Sequence, residues 1–245
     1  MQTSSPNHAA RVQIEPGFEW DRQDAYLFDI DGTVLRSRDR VHMDSFLPSI
    51  LQVTGIEMSL AGVSIHGSTD TGILRDAFHL AGIPPEVLEL HSEAILEAVR
   101  QNVASRRHLM DLRRMPGIED TLRHLAANGA KLGLATGNLE TIGWGKIELV
   151  GLRDWFHFGG FSDRFPVRSD LIGNAAHLAR ALTAPTASVC VVGDTPRDIE
   201  AAHANSLPVI AVATHNFDFD TLLALGPEVC ATSLADLLVA TQAVQ

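Results

Sequence analysis

Apolar runs punctuate the chain at 25–30 (AYLFDI), 131–136 (KLGLAT), 155–161 (WFHFGGF), 188–193 (SVCVVG) and 208–214 (PVIAVAT). Several are continuous rather than alternating, the pattern of strands covered on both faces in a parallel sheet. Between them the apolar positions fall at helical spacing. In GIEDTLRHLAANG (117–129), Leu122 and Leu125 share one face and Gly129 supplies a stop. LETIGWGKIELVGL, SDLIGNAAHLARAL, TPRDIEAAHANS and SLADLLVATQ read the same way. Strand and helix alternating through short connections predict an α/β fold with a doubly wound, mainly parallel sheet.

One long stretch breaks the alternation. From 41 to 113 the patterns are helical, as in DTGILRDAFHLAG and PEVLELHSEAILEAVRQNVASRRH, and strands resume only after RRMPGIED. The expected organisation is an α/β core of 21–40 and 114–245 with a helical insert at 41–113. An insert at that point sits above the C-terminal edge of the sheet, where ligands bind in such folds. Residues 1–20 read as a flexible lead-in.

Composition narrows the classes. With 45% hydrophobic residues and a mean hydropathy of +0.07, the chain can build a substantial core and is not a disordered polymer. A net charge of −11 excludes a general nucleic-acid binder. It does not exclude a small phosphorylated substrate, because a local cation or metal reverses the field inside a cleft. The two cysteines, Cys190 and Cys230, form no CxxC, and Cys190 in SVCVVGD reads as a small buried hydrophobe. The opening residues lack the apolar centre of a secretory signal, and no run has bilayer length. A cytoplasmic protein with no membrane partner is the expectation. GxGxxG, GxxxxGK[ST] and a complete GxSxG are all missing, and the histidines follow no zinc spacing.

The chemistry lies at the strand ends. In a parallel sheet all C-termini share one edge. FDIDGT brings Asp29 and Asp31 there, LATGN brings Thr136, Gly137 and Asn138, and VVGDTPRD brings Asp194 with Asp198 one helical turn on. Four carboxylates in one cleft repel each other unless a cation lies between them. An all-oxygen donor set suits Mg²⁺. Taken singly, each residue has a plainer explanation. Asp-Gly commonly starts a turn, Asp198 suits the first turn of a helix, and Thr136 can satisfy its own turn.

FDIDGT, LATGN and VVGDTPRD resemble, in order, the first, second and fourth motifs of the haloacid dehalogenase superfamily. The helical insert resembles that superfamily's cap of the phosphoglycolate phosphatase type. The resemblance covers nearly the whole chain from about residue 24. It implies that Asp29 is a nucleophile forming an aspartyl-phosphate, and that Asp31 is the acid and base, with its main-chain carbonyl on the metal. It further implies that Thr136 and Gly137 bind phosphoryl oxygens, that Asp194 ligates Mg²⁺, and that Asp198 reaches the ion through water or orients Asp194.

The superfamily's third motif is usually a lysine, and this chain departs from it. At the expected place stands RFPVRSDLIGNAAHLAR, so Arg168 is expected to screen Asp29 and grip phosphate. Lys146 is the rival, set aside because helix rise puts it roughly 10 Å from the sheet edge.

The resemblance implies a Mg²⁺-dependent phosphatase acting on a small phosphorylated metabolite. Asp31 argues against a dehalogenase, whose halide leaving group needs no acid. A β-phosphoglucomutase-like sugar phosphomutase shares the same core motifs. A non-catalytic module binding a phospholigand or partner is the alternative outside enzymes. In the insert, His66, Gly67 and Thr69 are candidates to face substrate, with Thr69 equally suited to cap a helix and Gly67 to form a turn. Trp144 and Trp155 read as core. Hinges are expected near 36–42 and 112–117.

Overall fold

The computed structural model describes residues 10–242. Its strands are β1 (Val12–Ile14), β2 (Ala25–Phe28), β3 (Leu35–Ser37), β4 (Leu112–Arg114), β5 (Lys131–Ala135), β6 (Phe158–Gly160), β7 (Val189–Gly193), β8 (Val209–Val212) and β9 (Val229–Ala231). Among the described residues, seven of them form one sheet in the order β1-β9-β8-β7-β2-β5-β6. Every pairing in it is parallel except β1 with β9. This is the doubly wound, mainly parallel sheet that the apolar runs predict.

Three helices precede β4: α1 (Phe46–Thr54), α2 (Asp70–Leu80) and α3 (Pro85–Ser105). The others are α4 (Ile118–Ala127), α5 (Glu140–Leu149), α6 (Arg168–Leu182), α7 (Pro196–Ala204), α8 (Phe219–Leu223) and α9 (Leu234–Gln242). Strand periodicity splits the core in two. Tyr26, Phe28, Leu134 and Val192 face one way, against Ile118, Leu122 and Leu125 of α4 and Leu237 of α9. Leu27, Val189 and Val191 face the other, against Leu171, Ile172 and Ala175 of α6. Each of the valine, leucine, isoleucine and phenylalanine side chains among them contributes about 1.5–3 kcal/mol by leaving water.

The segment before β4 has its own core of Phe46, Ile50, Ile73, Leu74, Phe78, Ile95 and Val99, joined by Leu139 and Ile142 from α5. The helical cap is therefore packed onto the helix that follows β5. β3 and β4 form a separate antiparallel ribbon at the cap's two connections, pairing Leu35 with Arg114 and Ser37 with Leu112. The sequence pattern did not reveal this ribbon, since each strand is three residues long.

The expected flexible lead-in needs correcting. Residues 1–9 lie outside the described residues. From there on, Val12, Gln13 and Ile14 pair with Ala231, Cys230 and Val229 as an edge strand. Trp20 is 3% exposed within the main core, and its indole N–H donates to Thr241 Oγ1 at 2.9 Å. Trp20→Ala is expected to cost about 3–5 kcal/mol of unfolding free energy. Urea denaturation measures this, and a loss below about 1 kcal/mol would return the segment to a peripheral role. The apolar run at 155–161 is also shorter as a strand. Only Phe158–Gly160 pairs, while Trp155 closes a 3-10 turn and packs against the core.

Candidate active site

β2 and β7 are adjacent and parallel, so their C-terminal loops meet. The Asp29 amide still donates to the Val192 carbonyl at 2.9 Å, which holds Asp29 in register at the rim. Gly32 then turns with φ +100°, and a Cβ there would collide with the Asp194 carboxylate. Only glycine lets the two loops approach this closely. A Cβ at Gly193 would likewise strike Asp198. The chain thus packs Asp194 and Asp198 against bare backbone.

One oxygen each of Asp29, Asp194 and Asp198 lies within 4.8 Å of the others, and all three residues are buried. Arg168, at the start of α6, stands among them. Its terminal nitrogens reach Asp29 Oδ1 at 2.9 Å, Asp198 Oδ1 at 2.5 Å and the Gly67 carbonyl of the cap at 3.1 Å. The other Asp198 oxygen accepts from the Thr195 amide and hydroxyl at 3.0 and 2.7 Å. Asp198 therefore does two things: it caps α7 together with Thr195, and it anchors Arg168.

Asp31 points elsewhere. Its side chain is 39% exposed, and Lys146 Nζ donates to both its oxygens at 2.9 and 2.6 Å. Asn138 Nδ2 donates to it at 2.8 Å, and Asn138 Oδ1 accepts from Lys146 at 2.7 Å. Here the distance argument made from helix rise fails. It placed the Lys146 backbone far from the rim and ignored the four-carbon stem, which carries the ammonium back to Asp31. Arg168 and Lys146 both belong to the site, each on a different aspartate.

The two aspartates differ accordingly. Burial pushes Asp29 up to about 6, against the opposing pull of Arg168 and with a further push from Asp198 and Asp31. Burial also raises Asp194 well above the carboxylate range, reinforced by Asp29 and Asp198. For Asp31, partial loss of hydration in the cleft pushes upward, but the Lys146 ammonium and the hydrogen bonds from Lys146 and Asn138 outweigh it and hold the carboxyl low.

A divalent cation fits this donor set. Three buried carboxylates face one guanidinium, which leaves two negative charges uncompensated. Burial raises Asp29 and Asp194, and the neighbouring acids add to it. The donors are all oxygen, as a hard cation requires.

Thr136 is buried and its hydroxyl accepts from Asn138 Nδ2 at 2.7 Å. Gly137 touches the cap: its carbonyl accepts from the Asp70 amide at 2.7 Å, and a Cβ would strike the Ser68 carbonyl. Of the cap candidates, Thr69 caps α2 through the Gly72 amide, as its residue type allows. Gly67 holds Arg168 through its carbonyl. His66 lines the cavity and pairs with Asn216 at 2.9 Å. Trp144 is packed between Phe161 and Arg153. The cavity over the site measures about 320 Å³, with Asp29, Asp31, Thr136, Gly137, Lys146, Arg168 and Asp194 on its core side and His42, Ile65, His66 and Ser68 on its cap side. Asn138, His42 and Asp70 are the contributors that sequence reasoning gave no role. LATGN puts Asn138 at the rim without a role, and nothing in the local sequence marks His42 or Asp70, whose partners lie tens of residues away.

Known proteins resemble this chain in sequence and fold. The chain is 30% identical over 133 residues to a phosphoglycolate phosphatase of Chromobacterium violaceum, a match spanning 54% of this chain and 59% of that relative. A hydrolase from Pseudomonas syringae superposes with a TM-score of 0.61 at 20% identity, covering 91% of this chain and 99% of that one. CbbY from Rhodobacter sphaeroides, solved in complex with phosphate, gives 0.58 at 16% identity over 80% and 90%. Both structures share the fold. The model for haloacid dehalogenase-like hydrolases matches residues 23–205, a span holding every acid and both cations described above. A match over well over half the sequence, on a sheet whose loops meet in this way, places the chain in the haloacid dehalogenase-like hydrolase family.

Proposed function

We propose that this chain is a Mg²⁺-dependent phosphatase that hydrolyses a small phosphomonoester through an aspartyl-phosphate on Asp29. One observation carries the reading: two aspartates two residues apart are bound by different cations, Asp29 by Arg168 and Asp31 by Lys146. Asp29 is thereby held as one group of a buried charge cluster, and Asp31 as a separate, half-exposed group beside it. That is the division of labour a nucleophile and a proton carrier need.

Asp29, Asp194 and the Asp31 main-chain carbonyl would hold the ion, with Asp198 behind them. Bound there, Mg²⁺ would offset the excess negative charge and polarise a phosphoryl oxygen. The side chains then divide the work. An Asp29 oxygen attacks phosphorus while the bond to the leaving oxygen breaks, and Asp31 delivers the proton that oxygen needs. Water next attacks the aspartyl-phosphate, Asp31 takes its proton, and Asp29 and inorganic phosphate separate. Asp31 as Lys146 holds it, ionised, is ready for the second half. For the first half it must gain a proton and exchange Lys146 for the leaving oxygen. Arg168, Thr136 and the Gly137 amide hold the phosphoryl oxygens.

The cavity volume of about 320 Å³ lies at the small end for ligand sites, which favours a compact phosphorylated metabolite. The phosphoglycolate phosphatase relative supports the same size class. Among the described residues no helix is long and apolar enough to cross a membrane, and a cytoplasmic location belongs to this proposal. The β3–β4 ribbon lies where the cap would hinge. The test is release of phosphate from a panel of small phosphomonoesters, with Mg²⁺ and then with EDTA. Turnover should appear with Mg²⁺, fall at least about 10²-fold with EDTA and return on adding excess Mg²⁺. Turnover indifferent to EDTA would sink the metal assignment, and none in any condition the phosphatase itself.

A further inference from the structure

The cap does more than cover the cavity. Asp70 opens α2, a cap helix, yet its carboxylate is buried and its partner belongs to the core. The Asp70 amide donates to the Gly137 carbonyl at 2.7 Å, and Asp70 Oδ2 accepts from the Leu139 amide at 2.8 Å. These two bonds bracket Asn138. A single cap residue therefore clasps both sides of the loop that carries Thr136, Gly137 and Asn138.

The clasp is not explained by α2 itself. Thr69 already caps that helix through the Gly72 amide, and an acid in the first turn would serve the dipole equally well in solvent. Instead Asp70 is 3% exposed. Burying a carboxylate is costly unless its partners repay the lost hydration. The partner here is the amide of the residue before α5, whose own side chain, leucine, cannot cap it. His42 Nε2 stands 3.1 Å from the same oxygen, outside hydrogen-bond alignment. Contact between the two segments is direct, since Gly137 has no room for a side chain beneath the Ser68 carbonyl.

We infer that Asp70 is a positioning residue: it completes the 136–139 loop from the cap, so that seating the cap and binding the phosphoryl group become one coupled event. The inference rests on the phosphatase reading of this site. When the cap lifts, the Gly137 carbonyl and the Leu139 amide lose their partners together, and the loop is left with its core-side bonds alone, such as that from the Ser162 amide to the Asn138 carbonyl at 3.0 Å. Coupling of this kind is reciprocal. A phosphoryl group held by the loop favours the seated cap as much as the seated cap favours the phosphoryl group.

The experiment compares Asp70→Ala and Asp70→Asn with the wild type, in Mg²⁺, on a phosphomonoester that the wild type hydrolyses. Asp70→Ala should raise both KM and the inhibition constant of inorganic phosphate about tenfold, the loss of one charge-assisted hydrogen bond. Asp70→Asn keeps an oxygen that accepts from Leu139 and should recover most of both. Unchanged constants in Asp70→Ala, or an Asp70→Asn as impaired as the alanine, would overturn the inference. Should Asp70→Ala not fold, hydrogen exchange on the wild type decides. Inorganic phosphate should slow exchange at 137–139 and at 67–73 together, and protection of one segment without the other would refute the coupling. A wild type inert toward every phosphomonoester would instead defeat the phosphatase reading.

Discussion

Asp29→Asn should lower turnover by at least about 10⁴-fold while making the metal-free protein more stable. The first effect follows because an amide cannot form the acyl-phosphate bond. The second follows from burial. The Asp29 carboxyl ordinarily titrates at 3.8 and in the fold at about 6. The folded state therefore holds the proton more tightly than the unfolded one. Stability falls as pH rises from 3.8 to about 6, and the full cost is present above that window. The gap corresponds to roughly 3 kcal/mol. The amide carries no charge and escapes that cost. Thermal melting of both proteins in EDTA at pH 5 and pH 8 is the check. The variant should gain over the wild type at pH 8 and much less at pH 5, and Mg²⁺ should raise its melting point far less. A variant that melts below the wild type at pH 8 would mean that Asp29 is compensated without a cation, and the case for a divalent ion at this site would fail.

How far the sequence foretold this site depends on how local each signal is. Asp29, Asp31, Asp194 and Asp198 were legible because apolar strands ended in acids and a parallel sheet brings strand ends to one rim. Their convergence needed only topology. Arg168 stood out only through the resemblance, at the place where the superfamily usually carries a lysine. Lys146 was misjudged because the reasoning followed its backbone and not its side chain, which spans the distance to Asp31. The three-residue strands at 12–14, 35–37, 112–114 and 229–231 carry too few residues for a period-2 pattern, so the ribbon and one sheet edge were invisible. Asp70 is the instructive case. Its place in the first turn of α2 tells only part of what it does, since its decisive partner is Leu139, 69 residues away. Asp198 is similar: the TPRD signal reveals a helix start, and only the fold adds Arg168 to its other oxygen.

Arg168→Met should damage stability and activity together. The guanidinium lies beside two buried acids, holds the Gly67 carbonyl of the cap, and is itself buried. Deleting it leaves Asp29, Asp194 and Asp198 together with no positive side chain, and breaking a buried pair from one side costs about 3–5 kcal/mol. The acids can escape part of that cost by taking up protons. The loss should therefore be smaller at pH 5 than at pH 8, and Mg²⁺ should restore much of it by supplying the missing charge. Turnover should fall about 10²–10³-fold even with saturating Mg²⁺, because a donor to the phosphoryl oxygens has gone. Arg168→Lys separates charge from geometry. One ammonium restores the sign, but it cannot reach Asp29, Asp198 and Gly67 at once as the planar fork does. It should recover most of the stability and only part of the turnover. Urea denaturation with and without Mg²⁺, beside phosphate-release rates, measures both quantities. An Arg168→Met protein as stable as the wild type at pH 8 in EDTA would show that the three acids are neutral in the native state, and Arg168 would then be a residue of the phosphate site alone.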